Sequence, residues 1–198
     1  MQLGIVNKKQ KLLERIKTDI IKNNICPDLA REAKNLVMGD GNIDAEIVLI
    51  GEAPGKKEDE TGLPFVGAAG KFLNEMLASA GINRSDVFIT NIVKYRPPDN
   101  RDPLPVEKES FWPYLVRQLD VIQPRVVVTL GRHSMEYFIP GQKISEIHGQ
   151  QIRIKFGEKE LVIVPLYHPA AALYNGGMRA KLIEDFIKLP KIIDILKK

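Results

Sequence analysis

The chain has 198 residues with a formal net charge of +4, and 44% of its residues are hydrophobic. These values are ordinary for a globular protein with one core, and the positive charge favours an anionic partner such as nucleic acid. No run approaches the roughly 18 apolar residues of a membrane span and no secretory signal is visible, so we expect a cytoplasmic protein without a membrane partner.

Helical and strand patterns alternate along the chain. Apolar residues at helical spacing predict an amphipathic helix within 8–24, and a short apolar run predicts a buried strand within 45–55 that enters a loop. The other predicted elements, in chain order, are a helix over 70–81, a strand over 86–95, a helix over 106–122 in which Pro113 begins or kinks a turn, a strand over 124–131, a short helix over 132–139, a hairpin over 150–169 that turns at Gly157–Glu158, and a helix over 178–189.

The alternation of strands and helices after residue 45 is typical of a parallel sheet covered on both faces. The fold class is therefore α/β, a three-layer α/β/α sandwich. The sequence shows no repeat, low-complexity stretch or linker. We expect one domain over residues 1–198, with residues 1–25 as an N-terminal helical extension.

The segment GEAPGKKEDETGLPFVGAAG, which follows the first predicted strand, holds five glycines and suits a backbone wrapped around a ligand. Two later strands end in TNIVKYRPPDNRDP and YHPAAALYNGG. Ligands of open α/β sheets bind at the carboxyl ends of the strands. The three segments would therefore bring a carboxylate (Glu52), an amide (Asn91) and an imidazole (His168) to one edge of the sheet.

Each candidate also has a structural interpretation. Glu52 could be a surface or capping acid, Asn91 a strand-end amide, His168 a structural histidine and Phe65 a core residue. The glycine-rich segment lacks the Gly-Lys-Ser/Thr of a phosphate-binding loop and the GxGxxG of dinucleotide sites. The three histidines are scattered along the chain, so no metal site is expected.

Taken together, GEAPGKKEDETGLPFVGAAGKFLNEML, ITNIVKYRPPDNRDP and LYHPAAAL resemble the motifs of the family 4 uracil-DNA glycosylases, in order and at suitable separation. The resemblance covers roughly residues 26–188. It implies an α/β/α fold with a central four-stranded parallel sheet. It also implies a DNA repair enzyme that flips uracil out of DNA and hydrolyses its N-glycosidic bond, leaving an abasic site.

The resemblance assigns catalysis to Glu52 and His168. Glu52 lies at the catalytic carboxylate of the family, and His168 would hydrogen-bond O2 of the leaving uracil. When the bond breaks, the sugar becomes cationic and the uracil anionic, so a carboxylate near the sugar and a donor at O2 address both charges. Glu52 could also position the attacking water, and the two roles stay open.

The resemblance implies a base-binding set of Ala53, Glu58, Phe65 and Asn91. Phe65 would stack on the flipped base, and such stacking returns about 1–3 kcal/mol of the flipping cost. The amide of Asn91 complements the N3–H donor and O4 acceptor of uracil, and cytosine reverses both groups. Glu58 would crowd C5 of the base and disfavour thymine.

DNA contacts are expected from two segments. Lys94, Arg96 and Arg101, in KYRPPDNRDP, are candidate phosphate contacts, although each could be a solvated surface charge. Leu173 or Tyr174, in HPAAALYNGG, could insert into the base stack, or either could be a core residue. The expected partner is uracil-containing DNA, bound by a monomer.

The family normally binds a four-iron, four-sulfur cluster through four cysteines, whereas this chain has one, Cys26. The other three positions hold Asn23, Tyr95 and Phe111. One thiolate does not hold such a cluster. We therefore expect no cofactor and no metal, with apolar packing of the two aromatic residues in that place. An intersubunit metal site that uses Cys26 is the alternative.

Two other functions stay open. One is a glycosylase for another deaminated base, hypoxanthine or xanthine. The other is a non-catalytic protein of the same fold that binds damaged or single-stranded DNA, which the loss of the cluster makes conceivable. The intact set of Glu52, Asn91 and His168 favours the active uracil-DNA glycosylase.

Overall fold

The computed structural model describes residues 2–196, without the side chains of residues 2–7 and of Tyr174. Its helices are α1 (Gln2–Lys22), α2 (Pro27–Glu32), α3 (Lys56–Thr61), α4 (Ala68–Ser79), α5 (Pro105–Ile122), α6 (Arg132–Glu136), α7 (Ile144–Ile147), α8 (Ala171–Tyr174), α9 (Gly176–Ile187) and α10 (Leu189–Leu196). Its strands are β1 (Asp40–Gly41), β2 (Ile47–Gly51), β3 (Phe88–Asn91), β4 (Val126–Leu130), β5 (Ile152–Phe156) and β6 (Lys159–Leu166).

The described strands form one six-stranded sheet in the order β1-β3-β2-β4-β6-β5. The four central strands are parallel, which confirms the four-stranded parallel sheet, and β1 and β5 pair antiparallel at the edges. Every residue of β2, β3 and β4 is buried, which explains why these strands read as continuous apolar runs. The predicted hairpin is confirmed as β5 and β6, with Phe156 paired to Lys159 across the turn.

Helices cover both faces of the sheet, because successive side chains of a strand point to opposite faces. Leu49 and Val128 pack in a cluster with residues of α4, α9 and α10. Val48 and Val127 pack in a second cluster with residues of α1, α2 and α5. This arrangement confirms the three-layer α/β/α class.

The N-terminal helix α1 packs against α5 through a buried stripe that includes Ile16 and Ile20. The apolar spacing therefore predicted which side of this helix faces the core. That residues 1–198 form one domain with a 25-residue extension stays a prediction. Among the described helices, none has both the length and the apolar character needed to cross a membrane.

Some elements differ from the sequence predictions. β3 ends at Asn91, where the chain bends, although the N–H groups of Ile92 and Val93 still donate to the carbonyls of Gly51 and Glu52. The short helices α2 and α3 lie in segments for which no helix was predicted. α5 is one helix with Pro113 inside it.

Candidate active site

A cleft of about 420 Å³ lies at the carboxyl edge of the parallel strands. It is lined by the segment after β2, the end of β3, the loop before α5 and the segment after β6. The lining residues are Glu52, Ala53, Pro54, Gly55, Glu58, Phe65, Ala69, Asn91, Pro97, Asn100, Arg101, Asp102, Pro103, His168 and Ala170. The three strand ends thus bring the candidate carboxylate, amide and imidazole to one cleft.

Glu52 follows β2 directly, and 19% of its side chain is exposed. Its buried Oε1 has no hydrogen-bond partner among the described residues. Desolvation raises the pKa of Glu52 to about 7, the charge of Asp102 adds to this rise, and Lys108 and Arg132 oppose it. A carboxylate that titrates near neutral pH can exchange a proton with a substrate or with water.

Asn91 ends β3 and is only 2% exposed. Within the described residues, no donor reaches its buried Oδ1. Gly51 pairs with Asn91 across the parallel strands, and a Cβ at Gly51 would overlap this oxygen. The glycine therefore leaves the room in which the amide turns into the cleft.

Phe65 lines the cleft, as does Asn91, and it also packs in the hydrophobic core. Its position is thus compatible both with stacking on a ligand and with a role in the core. Its φ of 51° is left-handed, a conformation that costs about 1–3 kcal/mol and clusters at ligand sites. A Cβ at Gly70 would overlap the carbonyl of Phe65, and a Cβ at Gly51 would lie 2.7 Å from its ring. Gly70 therefore permits the left-handed backbone of Phe65, and Gly51 permits the position of its ring.

Glu58, on α3, supports the wall of the cleft. Its Oε1 accepts hydrogen bonds of 2.9 Å from the backbone N–H groups of Val66 and Gly67. These N–H groups lie at the start of α4, where a carboxylate is favourable. The same carboxylate therefore lines the cleft and fixes the segment that carries Phe65.

His168 lies after β6 with its ring centroid 5.7 Å from that of Phe65. Burial lowers the pKa of His168 to about 4, a nearby Glu58 opposes the shift and His133 adds to it, so the ring is neutral at neutral pH. The N–H of Ala170 donates to Nδ1 at 3.2 Å. Nδ1 is therefore the acceptor and Nε2 carries the proton, as a donor for a ligand.

The other predicted site residues lie around this cleft or near it. Ala53 lines the cleft. Arg101 also lines it and is held by Glu107 in a bidentate pair with contacts of 2.6 and 2.9 Å. Arg96 donates through Nε to Asn100, and Leu173, on α8, is 45% exposed. The side chain of Tyr174 lies outside the described residues.

The prediction that Lys94 contacts phosphate is wrong. Lys94 is fully buried, and its Nζ donates to Thr90 Oγ1, Asn91 O and Gln118 Oε1 at 2.6–2.7 Å. The bend after β3 turns this side chain inwards, and desolvation lowers its pKa well below the usual range. Three acceptors match the three donors of an ammonium group, so Lys94 fixes the backbone beneath Asn91.

Sequence reasoning missed Asp102 and His133, which lie next to Glu52. His133 follows β4, so its place at the carboxyl end of a parallel strand was the available signal. The three residues place possible ligand atoms within 4.8 Å of one another. Lys108 and Arg132 lie against His133, and their two positive charges disfavour a divalent cation there.

The residues at the four cysteine positions of the resembled family do not fit an iron–sulfur cluster. Phe111 is fully buried, and its ring lies edge-on to Tyr95 with centroids 5.9 Å apart. Both pack in the cluster that contacts Cys26, which confirms the predicted apolar packing. Asn23 donates to Tyr114, and burial raises the pKa of the Cys26 thiol. A cluster of this type needs four thiolate ligands, and a single protonated thiol does not supply them.

Comparison with known proteins identifies the family. Residues 38–189 match the uracil DNA glycosylase superfamily. The chain is 47% identical to the type-4 uracil-DNA glycosylase of Sulfurisphaera tokodaii over 91% of this chain and 84% of that protein. It is 45% identical to the type-4 uracil-DNA glycosylase of Archaeoglobus fulgidus, over 91% and 92%. The corresponding enzyme of Thermotoga maritima is 39% identical, over 93% and 96%.

Proposed function

Because this chain belongs to the uracil DNA glycosylase superfamily, we propose that it is a DNA repair enzyme that hydrolyses the N-glycosidic bond of deoxyuridine in DNA. The products are free uracil and an abasic site. Relatives named for this activity match almost the whole chain, and the cleft carries donors and acceptors that fit the base.

The observation that carries the proposal is the buried Oδ1 of Asn91, which has no donor among the described residues. A buried acceptor without a partner costs about 1–3 kcal/mol, so it favours a ligand that supplies an N–H. Uracil supplies one at N3, and cytosine has a lone pair there instead. The amide NH₂ of the same side chain then faces O4. We therefore assign base reading to Asn91.

We assign the leaving-group contact to His168. Its Nε2–H faces the cleft as a neutral donor, and a hydrogen bond to O2 of uracil strengthens as negative charge develops on the departing base. Because the ring is neutral at physiological pH, the uracil leaves with the electron pair of the broken bond and without a proton from an imidazolium ion.

We assign the sugar side of the reaction to Glu52. The ionised carboxylate stabilises the cationic sugar or accepts a proton from the attacking water, and both roles require the charged form. Since its pKa is raised to about 7, the fraction of active enzyme increases as the pH rises through neutrality.

The other residues of the cleft select and hold the flipped base. Phe65 offers an aromatic face on which uracil can stack. The backbone beside it is fixed by Glu58, and we assign exclusion of the thymine methyl group to this Glu58 wall. Ala53 completes the base-binding surface.

We propose that uracil-containing DNA, either duplex or single-stranded, lies across the mouth of this cleft. Arg96 and Arg101 would contact phosphates, and Leu173 or Tyr174 would occupy the gap that the flipped nucleotide leaves. We propose that the enzyme acts as a monomer in the cytoplasm, with all the assigned catalytic and base-binding residues in one chain. It would need no iron–sulfur cluster, because three of the four cysteine positions of the resembled family hold other residues.

The test is incubation of the purified protein with labelled oligonucleotides that carry U·G, U·A, T·G, C·G, hypoxanthine or single-stranded U, followed by alkaline cleavage. We expect strand breaks only at uracil. Asn91→Asp should lower uracil cleavage and raise the cleavage of cytosine, because a protonated carboxyl group can donate to cytosine N3. Cleavage at hypoxanthine with uracil left intact, or no cleavage of any substrate, would contradict the proposal.

A further inference from the structure

His133 and Asp102 form a group with Glu52 that extends from the cleft to the surface. His133 Nδ1 lies 3.6 Å from Glu52 Oε1, and His133 Nε2 lies 3.3 Å from Asp102 Oδ2. The exposed fraction of the side chains rises outwards, from 19% at Glu52 through 26% at His133 to 69% at Asp102. The imidazole therefore stands between a cleft carboxylate and a surface carboxylate.

The neighbours of the ring select its tautomer. Arg132 Nε, which can only donate, lies 3.1 Å from His133 Nε2. Lys108 Nζ is also only a donor and lies 3.5 Å from Nδ1, a longer contact. A neutral imidazole has one acceptor nitrogen. Two groups compete for Nε2: the Arg132 donor at 3.1 Å, which has hydrogen-bond geometry, and the Asp102 oxygen at 3.3 Å, which lacks it and lies 3.8 Å from the Arg132 guanidinium. The hydrogen bond from Arg132 therefore assigns the acceptor to Nε2. Nδ1 then carries the proton, directed at the oxygen of Glu52 that has no other partner among the described residues.

Asp102, Lys108 and Arg132 shift the pKa values of both His133 and Glu52. Burial, Lys108 and Arg132 lower the pKa of His133, whereas Asp102 raises it, so the ring is a neutral donor at neutral pH. Asp102 raises the pKa of Glu52, and Lys108 and Arg132 lower it. On the far side of the cleft His168 is neutral, and Glu58 is held by two backbone N–H groups.

We propose that His133 is a positioning residue that orients the ionised Glu52 through Nδ1–H, with Asp102 as the outer carboxylate of the same group. The proposal rests on the assignment of Glu52 to the glycosylase reaction. The 3.6 Å separation closes to a hydrogen bond when DNA fills the cleft, as such contacts often do when substrate binds. His133 holds one Glu52 oxygen so that the other faces the sugar.

Two substitutions of the same residue test the positioning role. His133→Asn keeps an amide N–H near the position of Nδ1, and His133→Gln moves it to the position of Nε2, away from Glu52. His133→Gln and His133→Ala remove a hydrogen bond to a charged group, so each should lower the single-turnover rate about tenfold or more. His133→Asn should retain most of the rate, and all three variants should bind uracil-containing DNA as the native protein does.

The pH profile of the single-turnover rate separates positioning from a merely structural role. Loss of the donor should move the acidic limb of the profile to higher pH in His133→Ala and leave it in place in His133→Asn. Asp102→Asn should move it to lower pH by about half a unit or more, because a neighbouring negative charge is removed. Asp99→Asn, in the same loop, makes the same change in net charge and should leave the profile unmoved.

A second readout does not depend on activity. Titration of the free protein by carbon NMR, with labelled glutamate side chains and the Glu52 signal assigned through Glu52→Gln, should show the same opposite shifts. If these shifts occur in a protein that does not cleave uracil, the proposed function is wrong, but the interaction of His133 and Asp102 with Glu52 is confirmed. Equal rates in the His133 variants, or an Asp102→Asn profile that matches Asp99→Asn, would overturn the inference. Because Asp102 is mostly exposed, Asp102→Asn should fold, and its comparison with Asp99→Asn tests the inference even if the His133 variants do not fold.

Discussion

Glu52 has a buried carboxylate oxygen without a hydrogen-bond partner among the described residues, and its pKa is raised to about 7. An unfolded glutamate titrates near 4.5, so the folded protein binds an extra proton between these two pH values. Stability therefore falls as the pH rises from about 4.5 to about 7, and stays reduced above that range. The ionised Glu52 therefore lowers the free energy of unfolding at neutral pH, and in return it places a negative charge beside the substrate.

We predict that Glu52→Gln stabilises the protein at pH 8.5 and has little effect at pH 5, where the native carboxyl group is already neutral. One pKa unit corresponds to about 1.4 kcal/mol, and screening of a partly exposed group reduces the full value, so a gain of about 1–2 kcal/mol is expected. Calorimetric melting temperatures at the two pH values measure it. Equal melting temperatures of both proteins at pH 8.5 would show that the carboxylate is not desolvated.

Glu52, Asn91 and His168 could be predicted because each follows a strand directly, and the end of a parallel strand has a known place in the fold. Lys94 lies only three residues after Asn91 and was assigned wrongly. The direction of its side chain depends on a bend, and a lysine in a basic loop gives no signal of burial. His133 was missed because its contact with Glu52 joins the ends of β2 and β4, whose neighbourhood is set by strand order.

At the scale of elements, the long periodic segments agree with their predictions, whereas some of the shortest elements, such as β1, α2 and α3, were not predicted. α1, α4, α5 and α9 carry enough apolar positions to mark a buried face. The two residues of β1 contain no pattern, and this strand exists only because β3 offers it a free edge. Tertiary pairing, which a single sequence does not display, therefore decides the smallest elements.

The contact between α5 and the bend after β3 leads to a prediction about cohesion without a metal cluster. Phe111 is fully buried against Tyr95, so Phe111→Ala should lower the free energy of unfolding by about 3–5 kcal/mol. Cys26→Ser should change it little, because the polar contacts of the thiol are weak, as shown by the 3.9 Å distance to the Glu107 carbonyl, and a hydroxyl group can replace them. Urea unfolding of the two variants measures both effects.

The same experiment includes a control for the metal. Anaerobically purified native protein should contain no stoichiometric iron and should lack the visible absorbance of iron–sulfur clusters. Iron in stoichiometric amount, or a Cys26→Ser variant that does not fold, would contradict the expectation that aromatic packing serves in place of a cluster.

At the scale of the whole molecule, α8 places Leu173 at the surface just beyond the segment that carries His168. An apolar side chain at this point can fill the stack when a base is flipped from a duplex. We predict that Leu173→Ala lowers cleavage of U·A duplexes about tenfold, because flipping a paired base costs a few kcal/mol. Single-stranded uracil needs no such wedge and should be cleaved at nearly the native rate. An equal loss on both substrates would assign Leu173 to packing instead.

Two basic residues of one loop are predicted to affect DNA binding differently. Arg96→Ala should weaken binding to every sequence and reduce the dependence of log affinity on log salt concentration by about one unit, as for one lost phosphate contact. Lys94→Met should leave this salt dependence unchanged and lower stability, because it leaves three buried acceptors without their donor. Fluorescence anisotropy over a salt series distinguishes the two outcomes.

The burial of Lys94 also gives the molecule an internal reporter of opening. An acylating reagent reacts with an exposed amine such as that of Lys17, but it reaches Lys94 only after β3 separates from α5. The ratio of the two labelling rates, read by mass spectrometry, therefore measures the population of opened molecules. A nucleic acid that binds only the closed form would slow the acylation of Lys94, and tighter binding would slow it more. The labelling rate therefore ranks nucleic acids by affinity, even in a protein sample that is inactive or not purified.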